Sequence, residues 1–229
     1  DLDHPWITDP GDAVEIALTI ERAGLALSER LLKSDSAEVS TIKSLLGYGN
    51  SNGFSAVVPS SRHSIGSIFV AEQKDGMQRD HWYSVDRDPS ELSEADEVGR
   101  EAARRSLAKL NPKRPDNGVF PVLFAPNCAS SLISHFVSAV SGSSQFKKAS
   151  FLLNRIDQRI FPEWLTIVES PLEPRSLGGA FFDSDGVQTR NNKFVTDGVL
   201  TSYVLSNYSA NRLGLATTGN AGGVRNLTL

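Results

Sequence analysis

Residues 39–85 read VSTIKSLLGYGNSNGFSAVVPSSRHSIGSIFVAEQKDGMQRDHWYSV, and this stretch decides the fold class. It consists of short runs rich in Val, Ile, Phe and Tyr. Three groups of turn-forming residues separate them: Gly49–Gly53, Pro59–Ser61 and Lys74–Gly76. β-Branched and aromatic residues fit the pleated surface of a sheet, whereas Gly, Asn and Pro favour turns. The stretch therefore predicts successive short antiparallel strands.

A helix is predicted on each side of these strands. Apolar residues recur at steps of three and four over residues 13–31 and again over 92–110. This spacing places them on one face of a helix. Asp9 and Asp88 each precede a proline and are suitable helix starts. The first half of the chain thus has the order helix, antiparallel strands, helix.

The segment 111–118 contains two prolines and a glycine, and we interpret it as a domain boundary. We expect residues 1–114 to be the later part of an α/β domain and residues 115–229 to be the first part of a mainly-β domain. After the boundary we predict a buried strand at Val119–Phe124 and a helix over 127–140. Further along we predict a loop at Ser141–Ser144 and strands at 164–168, 193–196 and 199–205.

The fold class predicted from this order is α+β, with helices packed on mainly antiparallel sheets. The chain opens at Asp1 without methionine and closes on a strand-like alternation over 224–229. We interpret it as an internal piece that represents two domains of a longer protein only in part.

The composition excludes several classes of protein. Apolar residues make up 39% of the 229 residues and charged residues 22%, as in ordinary globular chains. The net charge of −4 argues against direct nucleic-acid binding. No apolar run approaches the roughly 18 residues that a membrane span requires. One cysteine fits a reducing compartment, so we expect a cytoplasmic protein.

The sequence lacks a local zinc motif. The histidines are His4, His63, His81 and His135, and at least 18 residues separate any two of them. Zinc peptidases use two histidines about one helical turn apart, together with a carboxylate that activates water. Cys128 is expected to be a small residue of the core.

Two glycine-containing segments have both a functional and a structural interpretation. Asp183–Gly186 looks like part of a calcium loop, but Asn192 stands where that loop needs a glutamate. Thr217–Gly223 could hold an anion through backbone N–H groups, yet it lacks the Lys-Ser/Thr of a phosphate loop. We predict a turn for both segments.

Seven segments occur in the order found in one protein family. They are Gly49–Phe54, Ser61–Ser64, Gly76–Asp80, Phe182–Arg190, Asp197–Tyr203, Tyr208–Leu215 and Thr218–Gly223. Together they resemble the PmbA branch of the TldD/PmbA family, once called modulators of DNA gyrase. The resemblance covers nearly the whole chain. Because family members are about twice as long, it implies that the chain corresponds to their middle portion.

The resemblance also suggests how the metal site has changed. The TldD branch carries a zinc-binding helix with the pattern His-Glu-x-x-x-His, which aligns here with residues 127–140. Ser130 and Ser131 then stand in place of the first histidine and the glutamate, and His135 in place of the second histidine. The resemblance therefore implies no metal and no catalytic residue in this chain. His135 is expected to be a partly buried core residue. The alternative is that His135 contacts a peptide or a partner protein. Arg62 and His63 are further candidates for such a contact.

By this resemblance the chain is a non-catalytic subunit of a cytoplasmic metalloprotease that acts on unfolded peptides, such as a leader peptide or an antitoxin. Zinc is expected in a TldD-like partner. The expected assembly is a heterodimer with that partner or a homodimer. Neither nucleic acid nor a membrane is expected to bind directly. Two alternatives stay open. One is a regulatory protein that modulates DNA gyrase, and the other is a metallopeptidase whose ligands lie outside this chain.

Overall fold

The computed structural model of the chain describes residues 1–74 and 76–229. Asp75, in the middle of the predicted turn at Lys74–Gly76, lies outside the described residues. The chain divides into two compact units, each with its own core. The first unit comprises residues 1–47 and 57–118, and the second comprises residues 48–56 and 119–229.

The first unit is built on a sheet of three strands in the order β1, β2, β3. Their bounds are β1 Leu31–Gly49, β2 Ser55–Gln73 and β3 Gly76–Asp86. Strands β2 and β3 are antiparallel, with Gly66 opposite Tyr83. The strands are 19, 19 and 11 residues long, so the prediction of short strands is wrong although their type is confirmed.

The predicted break at Pro59–Ser61 is also wrong, because these residues lie inside β2. Strand β3 pairs only with residues 63–73 of β2. Beyond that paired stretch, one edge of β2 has no β3 neighbour. A proline is tolerated at such a position, since its missing N–H removes no bond of the β2–β3 ladder.

Helices α1 (Pro10–Leu25) and α2 (Ala95–Ala108) belong to the same unit. The Asp9 carboxylate accepts the backbone N–H of Asp12 at 2.9 Å, which confirms the predicted start of α1. The predicted continuation to residue 31 is wrong: α1 ends at Leu25. Leu31 begins β1 and is buried against Phe69 and Ala71, so it belongs to the core as a residue of the sheet and not of α1.

The start of α2 differs from the prediction as well. Asp88 caps a single 3₁₀ turn, Pro89–Glu91, and α2 begins later at Ala95 without a side-chain cap. Both helices contribute to the buried core under the sheet. That core includes Ile20, Ile65, Phe69, Ala71, Val98, Ala102 and Ala103.

The second unit combines helices with a four-stranded antiparallel sheet in the order β6, β5, β4, β7. The helices are α3 Pro126–Val140, α4 Gly142–Phe146 and α5 Asn207–Leu213. The strands are β4 Ile167–Glu169, β5 Asn192–Thr196, β6 Val199–Leu200 and β7 Leu227–Thr228. The helix predicted over 127–140 is confirmed, and so are the strands, although β4 and β6 are shorter than predicted. The α+β class is confirmed.

Two predictions at the start of this unit are wrong. Val119–Phe124 is not a buried strand: Val119 is 104% exposed and Leu123 is 97% exposed. An apolar run becomes a strand only when a neighbouring strand pairs with it, and no described strand does so. Ser141–Ser144 is not a loop either. The Ser141 hydroxyl accepts the N–H of Ser144 and thereby starts α4.

The predicted turn between β5 and β6 is confirmed at Asp197-Gly198. Both residues have positive φ, 48° and 77°. Two successive residues of this kind form the tight turn that matches the twist of a two-stranded ribbon. Among the helices of residues 1–74 and 76–229, none combines the length and apolar character that a membrane crossing requires.

Candidate functional site

Helix α3 is the element on which the expected metal motif lies. Its C-terminal part is fixed in the core of the second unit by Phe136, Ala139 and Val140. The N-terminal part extends out of that core, and most of its residues are exposed. Neither Ala125 nor Asn127 caps the helix with a side chain; instead Pro126 occupies the first turn, where it loses no helical hydrogen bond.

Ser130, Ser131 and His135 are all exposed on α3. The Ser131 hydroxyl donates to the Cys128 carbonyl oxygen at 2.7 Å. The Ser134 hydroxyl donates to the Ser131 carbonyl oxygen at 2.7 Å. Ser131 and His135 are four residues apart and so lie on one side of the helix. The expectation that His135 is a core residue is wrong. It lies before Phe136, the first α3 residue that is buried.

The donor set at these three positions does not fit zinc. By the resemblance, one imidazole and two hydroxyls stand where a zinc peptidase helix has two imidazoles and a carboxylate. A neutral hydroxyl is a poor zinc ligand and cannot take a proton from water as a carboxylate does. In the part of the chain that the structure describes, no three His, Cys, Asp or Glu residues are grouped closely enough to hold a metal ion.

Cys128 is exposed near the start of α3, so its prediction as a core residue is wrong. The apolar face of α3 enters the core only from Phe136 onward, two helical turns later. Periodicity correctly indicated a helix here. It could not show that the first two turns extend beyond the core.

Arg62 and His63 belong to the first unit and have different environments. Arg62 is exposed on β2, whereas His63 is buried. The His63 Nε2 atom lies 2.8 Å from the His4 carbonyl oxygen, so it donates there, and Nδ1 accepts from the Thr41 hydroxyl at 2.8 Å. The ring of Trp6 meets the imidazole edge-on at 5.6 Å. Both ring nitrogens are therefore engaged inside the unit, which leaves Arg62 as the accessible member of the pair.

A buried carboxylate network in the second unit was missed from sequence. Glu169 is 1% exposed and accepts hydrogen bonds from three donors. The Asn192 amide donates at 2.7 Å, the Asn220 amide at 2.8 and 2.9 Å, and the Arg225 backbone N–H at 2.6 Å. This network fixes the segment that leads into β7.

Asp183 holds a neighbouring pair of turns. Its Oδ1 accepts the N–H groups of Asp185 and Val187, and its Oδ2 accepts the N–H of Ala221 at 2.9 Å. The prediction of turns at 183–186 and 217–223 is confirmed. The carboxylate that looked like a calcium ligand instead binds backbone N–H groups and joins the two turns.

Two cavities of the second unit share Phe146 as a wall. The larger, of about 550 Å³, lies beside the C-terminal end of α3 and is bordered by Ser141, Tyr208 and Gly223. The smaller, of about 260 Å³, is bordered by Leu153 and Arg212, among others. Their walls combine apolar side chains with hydroxyls and cations, so they can accept amphipathic ligands.

A separate apolar trough of about 930 Å³ follows the outer side of α3. Leu132, Ile133 and Val137 form one wall, and Leu227 with Leu229 forms another. Ser130 also borders this trough, whereas Ser131 and His135 do not. The three motif positions therefore do not converge on one cavity.

Two family models match the chain, one for each half. The PmbA/TldA metallopeptidase central domain matches residues 3–110, and the PmbA/TldA metallopeptidase C-terminal domain matches residues 117–229. The chain belongs to the PmbA/TldD metallopeptidase family. The resemblance noted in the ordered sequence segments is thereby confirmed.

Individual relatives agree with this assignment. The metalloprotease PmbA of Escherichia coli O157:H7 is 38% identical over 226 residues, which is 99% of this chain and 50% of that protein. A metalloprotease TldD homologue of Buchnera aphidicola subsp. Acyrthosiphon pisum is 24% identical over 147 residues, covering 63% of this chain and 30% of that protein.

The fold is similar to the crystal structure of a Bacteroides thetaiotaomicron protein that carries the name modulator of DNA gyrase. The TM-score is 0.90 with 26% identity, over 96% of this chain and 50% of that chain. The chain thus spans about half the length of PmbA from E. coli and of this solved structure.

Proposed function

We propose that this chain is a metal-free subunit of a PmbA/TldD-type metalloprotease that acts on unfolded peptides in the cytoplasm. One observation carries the proposal. Ser130 and Ser131 are both exposed on α3, and by the resemblance they stand where the zinc helix of the TldD branch needs a histidine and a glutamate. Two hydroxyls supply neither a strong zinc ligand nor a base for the attacking water.

The difference between the two sets of relatives supports the same assignment. Similarity to PmbA extends over 99% of the chain, whereas similarity to the TldD homologue extends over 63% at lower identity. A TldD-like partner would provide the zinc ion and the hydrolytic step. This chain would contribute surface that holds the peptide.

The sheets offer a means of holding an extended peptide. Strands β1 and β3 are the outer strands of the first sheet, and β6 and β7 are those of the second. An outer strand can pair with an extended peptide through main-chain hydrogen bonds, largely independent of peptide sequence. Unfolded chains satisfy this requirement, and folded proteins do not.

The proposal is tested by cleavage of an unfolded peptide with the full-length protein alone, with a TldD-like partner alone and with both. We expect cleavage that a chelator abolishes in the mixture, and none by the full-length protein alone. Metal analysis of the purified protein should give well below one zinc per chain. Stoichiometric zinc, or chelator-sensitive cleavage without a partner, would show instead that the protein is itself a metallopeptidase.

Purification of the full-length protein from cells, together with the proteins bound to it, tests the regulatory alternative. If DNA gyrase rather than a TldD-like subunit is recovered with the protein at physiological salt, modulation of gyrase becomes the better assignment. Recovery of a TldD-like subunit in a stable complex supports the subunit role.

A further inference from the structure

The two units differ in the sign of their charge. The first carries 14 Lys and Arg against 20 Asp and Glu, whereas the second carries nine against seven. In the second unit, Glu169 and Asp183 are buried and bonded to internal donors. Its surface is therefore more basic than the count suggests, although the whole chain is acidic.

Two of these cations lie close to one aromatic side chain. The Lys147 Nζ atom and the Arg212 guanidinium carbon each lie 5.9 Å from the centroid of the Phe146 ring. The Tyr208 ring meets Phe146 edge-on at 5.7 Å. We call the group Phe146, Lys147, Lys148, Tyr208 and Arg212 the Phe146 surface. Phe146 is half-buried and the other four side chains are exposed.

No carboxylate in the described part of the chain pairs with the cations of the Phe146 surface. Within residues 1–74 and 76–229, no ion pair involves Lys147, Lys148 or Arg212. The two cavities that share Phe146 as a wall have no Asp or Glu among their bordering residues. Like charges placed close together repel each other, and an anionic ligand would relieve that repulsion.

We propose that the Phe146 surface binds acidic stretches of unfolded peptides. Peptide carboxylates would pair with Lys147, Lys148 and Arg212, and an adjacent apolar side chain would enter the 550 Å³ cavity. The inference rests on the proposed function for the idea that the ligand is an unfolded peptide. It adds to that function a peptide-binding site and a preference for negatively charged peptides.

The shape of the site favours a peptide over a nucleic acid. Separate cavities of about 550 and 260 Å³ that share Phe146 as a wall suit apolar side chains at intervals along a peptide. A phosphate backbone would instead need a continuous basic stripe, and the net charge of the chain is −4.

Fluorescence anisotropy with the full chain and no partner protein tests this proposal. The probes are two labelled unfolded peptides of equal length and apolar content, one carrying four Glu and the other four Lys, and a single-stranded oligonucleotide. We expect the acidic peptide to bind at least about ten-fold more tightly than the basic peptide at about 0.1 M salt. The double variant Lys147→Glu/Arg212→Glu should weaken that binding at least about ten-fold.

The matched control is Lys193→Glu/Arg159→Glu, which makes the same change in charge at exposed positions that border neither of the two cavities. It should alter binding of the acidic peptide by less than about three-fold. Equal loss in both double variants, equal binding of the two peptides, or tighter binding of the oligonucleotide would each overturn the inference. Since no partner is present, these results are independent of whether the complex cleaves peptides.

Discussion

At the scale of single residues, buried carboxylates organise both units. Asp80 in the first unit and Glu169 and Asp183 in the second are each at most 9% exposed. Each accepts hydrogen bonds from residues of other segments or turns, so each fixes a local backbone arrangement. A buried carboxylate without such donors would be strongly destabilising, so these contacts stabilise the folded chain.

Asp80→Asn is expected to lower the free energy of unfolding by about 2 kcal/mol, because it leaves cations without their partner. Lys109 Nζ lies 3.1 Å and Arg105 Nε 3.6 Å from Asp80 Oδ2. Burial tends to raise the pKa of Asp80, but the His81 N–H, Lys109 and Arg105 together hold that pKa below its ordinary value of 3.8. Urea unfolding at pH 7 measures the effect.

The depressed pKa also fixes the pH dependence. The contribution of the Asp80 carboxylate is present above its unfolded pKa and is lost as the pH falls through the lower folded pKa. Stability should therefore decline less in Asp80→Asn than in the parent chain on acidification below about pH 4. The control is Asp96→Asn, whose exposed pair with Arg100 should be worth less than about 0.5 kcal/mol. If both variants lose the same stability, the Asp80 network has no special role.

At the scale of elements, α1 and α2 come into close contact where Gly99 of α2 faces Ile20 of α1. A Cβ at Gly99 in α2 would lie 2.1 Å from the Ile20 carbonyl oxygen and 2.9 Å from its carbonyl carbon. These are backbone atoms of α1, so they cannot rotate away as a side-chain end can. The glycine is therefore required for the two helices to approach this closely.

Gly99→Ala should destabilise the chain by about 2–3 kcal/mol, because the helices must move apart. This effect outweighs the roughly 1 kcal/mol that alanine gains over glycine from helix propensity. Thermal unfolding followed by circular dichroism measures it. Gly47→Ala is the control, since a Cβ there meets nothing within 4 Å, and its melting temperature should stay nearly unchanged. A stabilised Gly99→Ala would mean that the helices are not in close contact.

The elements also differ in whether the sequence alone predicts them. Helices α1, α2 and α3 could be predicted because their apolar spacing is a local feature. The capping residue gave the correct start only for α1, where Asp9 accepts the N–H of Asp12. The run Val119–Phe124 has an equally clear apolar pattern, yet a strand depends on a partner that local sequence does not specify. The Glu169 network was missed for the same reason, because its donors Asn192, Asn220 and Arg225 lie 23 to 56 residues away.

The predictions about site residues were wrong where they depended on whether a side chain is exposed or buried. Helical periodicity correctly placed residues 127–140 on one helix, but it could not show that the helix leaves the core before Phe136. Cys128 and His135 were consequently assigned to the core although both are exposed. Conversely, His63 was a candidate for a contact with peptide or partner and is buried with both ring nitrogens bonded.

At the scale of the whole molecule, the range from Asn111 to Cys128 includes the point where the chain passes from the first unit, which ends at residue 118, to the second, which continues from residue 119. Every residue in this range is exposed, and residues 111–125 contain neither helix nor strand. Backbone of this kind adopts the extended form that a protease cleft requires at little energetic cost. Lys113 lies in this range, and Arg114 is followed by proline, which hinders tryptic cleavage.

Limited digestion with trypsin under native conditions should therefore cut first after Lys113, giving fragments 1–113 and 114–229 that mass spectrometry identifies. Lys113→Gln should remove this early cut and delay digestion several-fold, since other Lys and Arg residues lie mainly in helices, strands or hydrogen-bonded turns. Lys193→Gln, placed in strand β5, is the matched control and should leave the first cut unchanged. An initial cut after Lys193 or inside α2 would show that a packed unit, rather than residues 111–128, opens most readily.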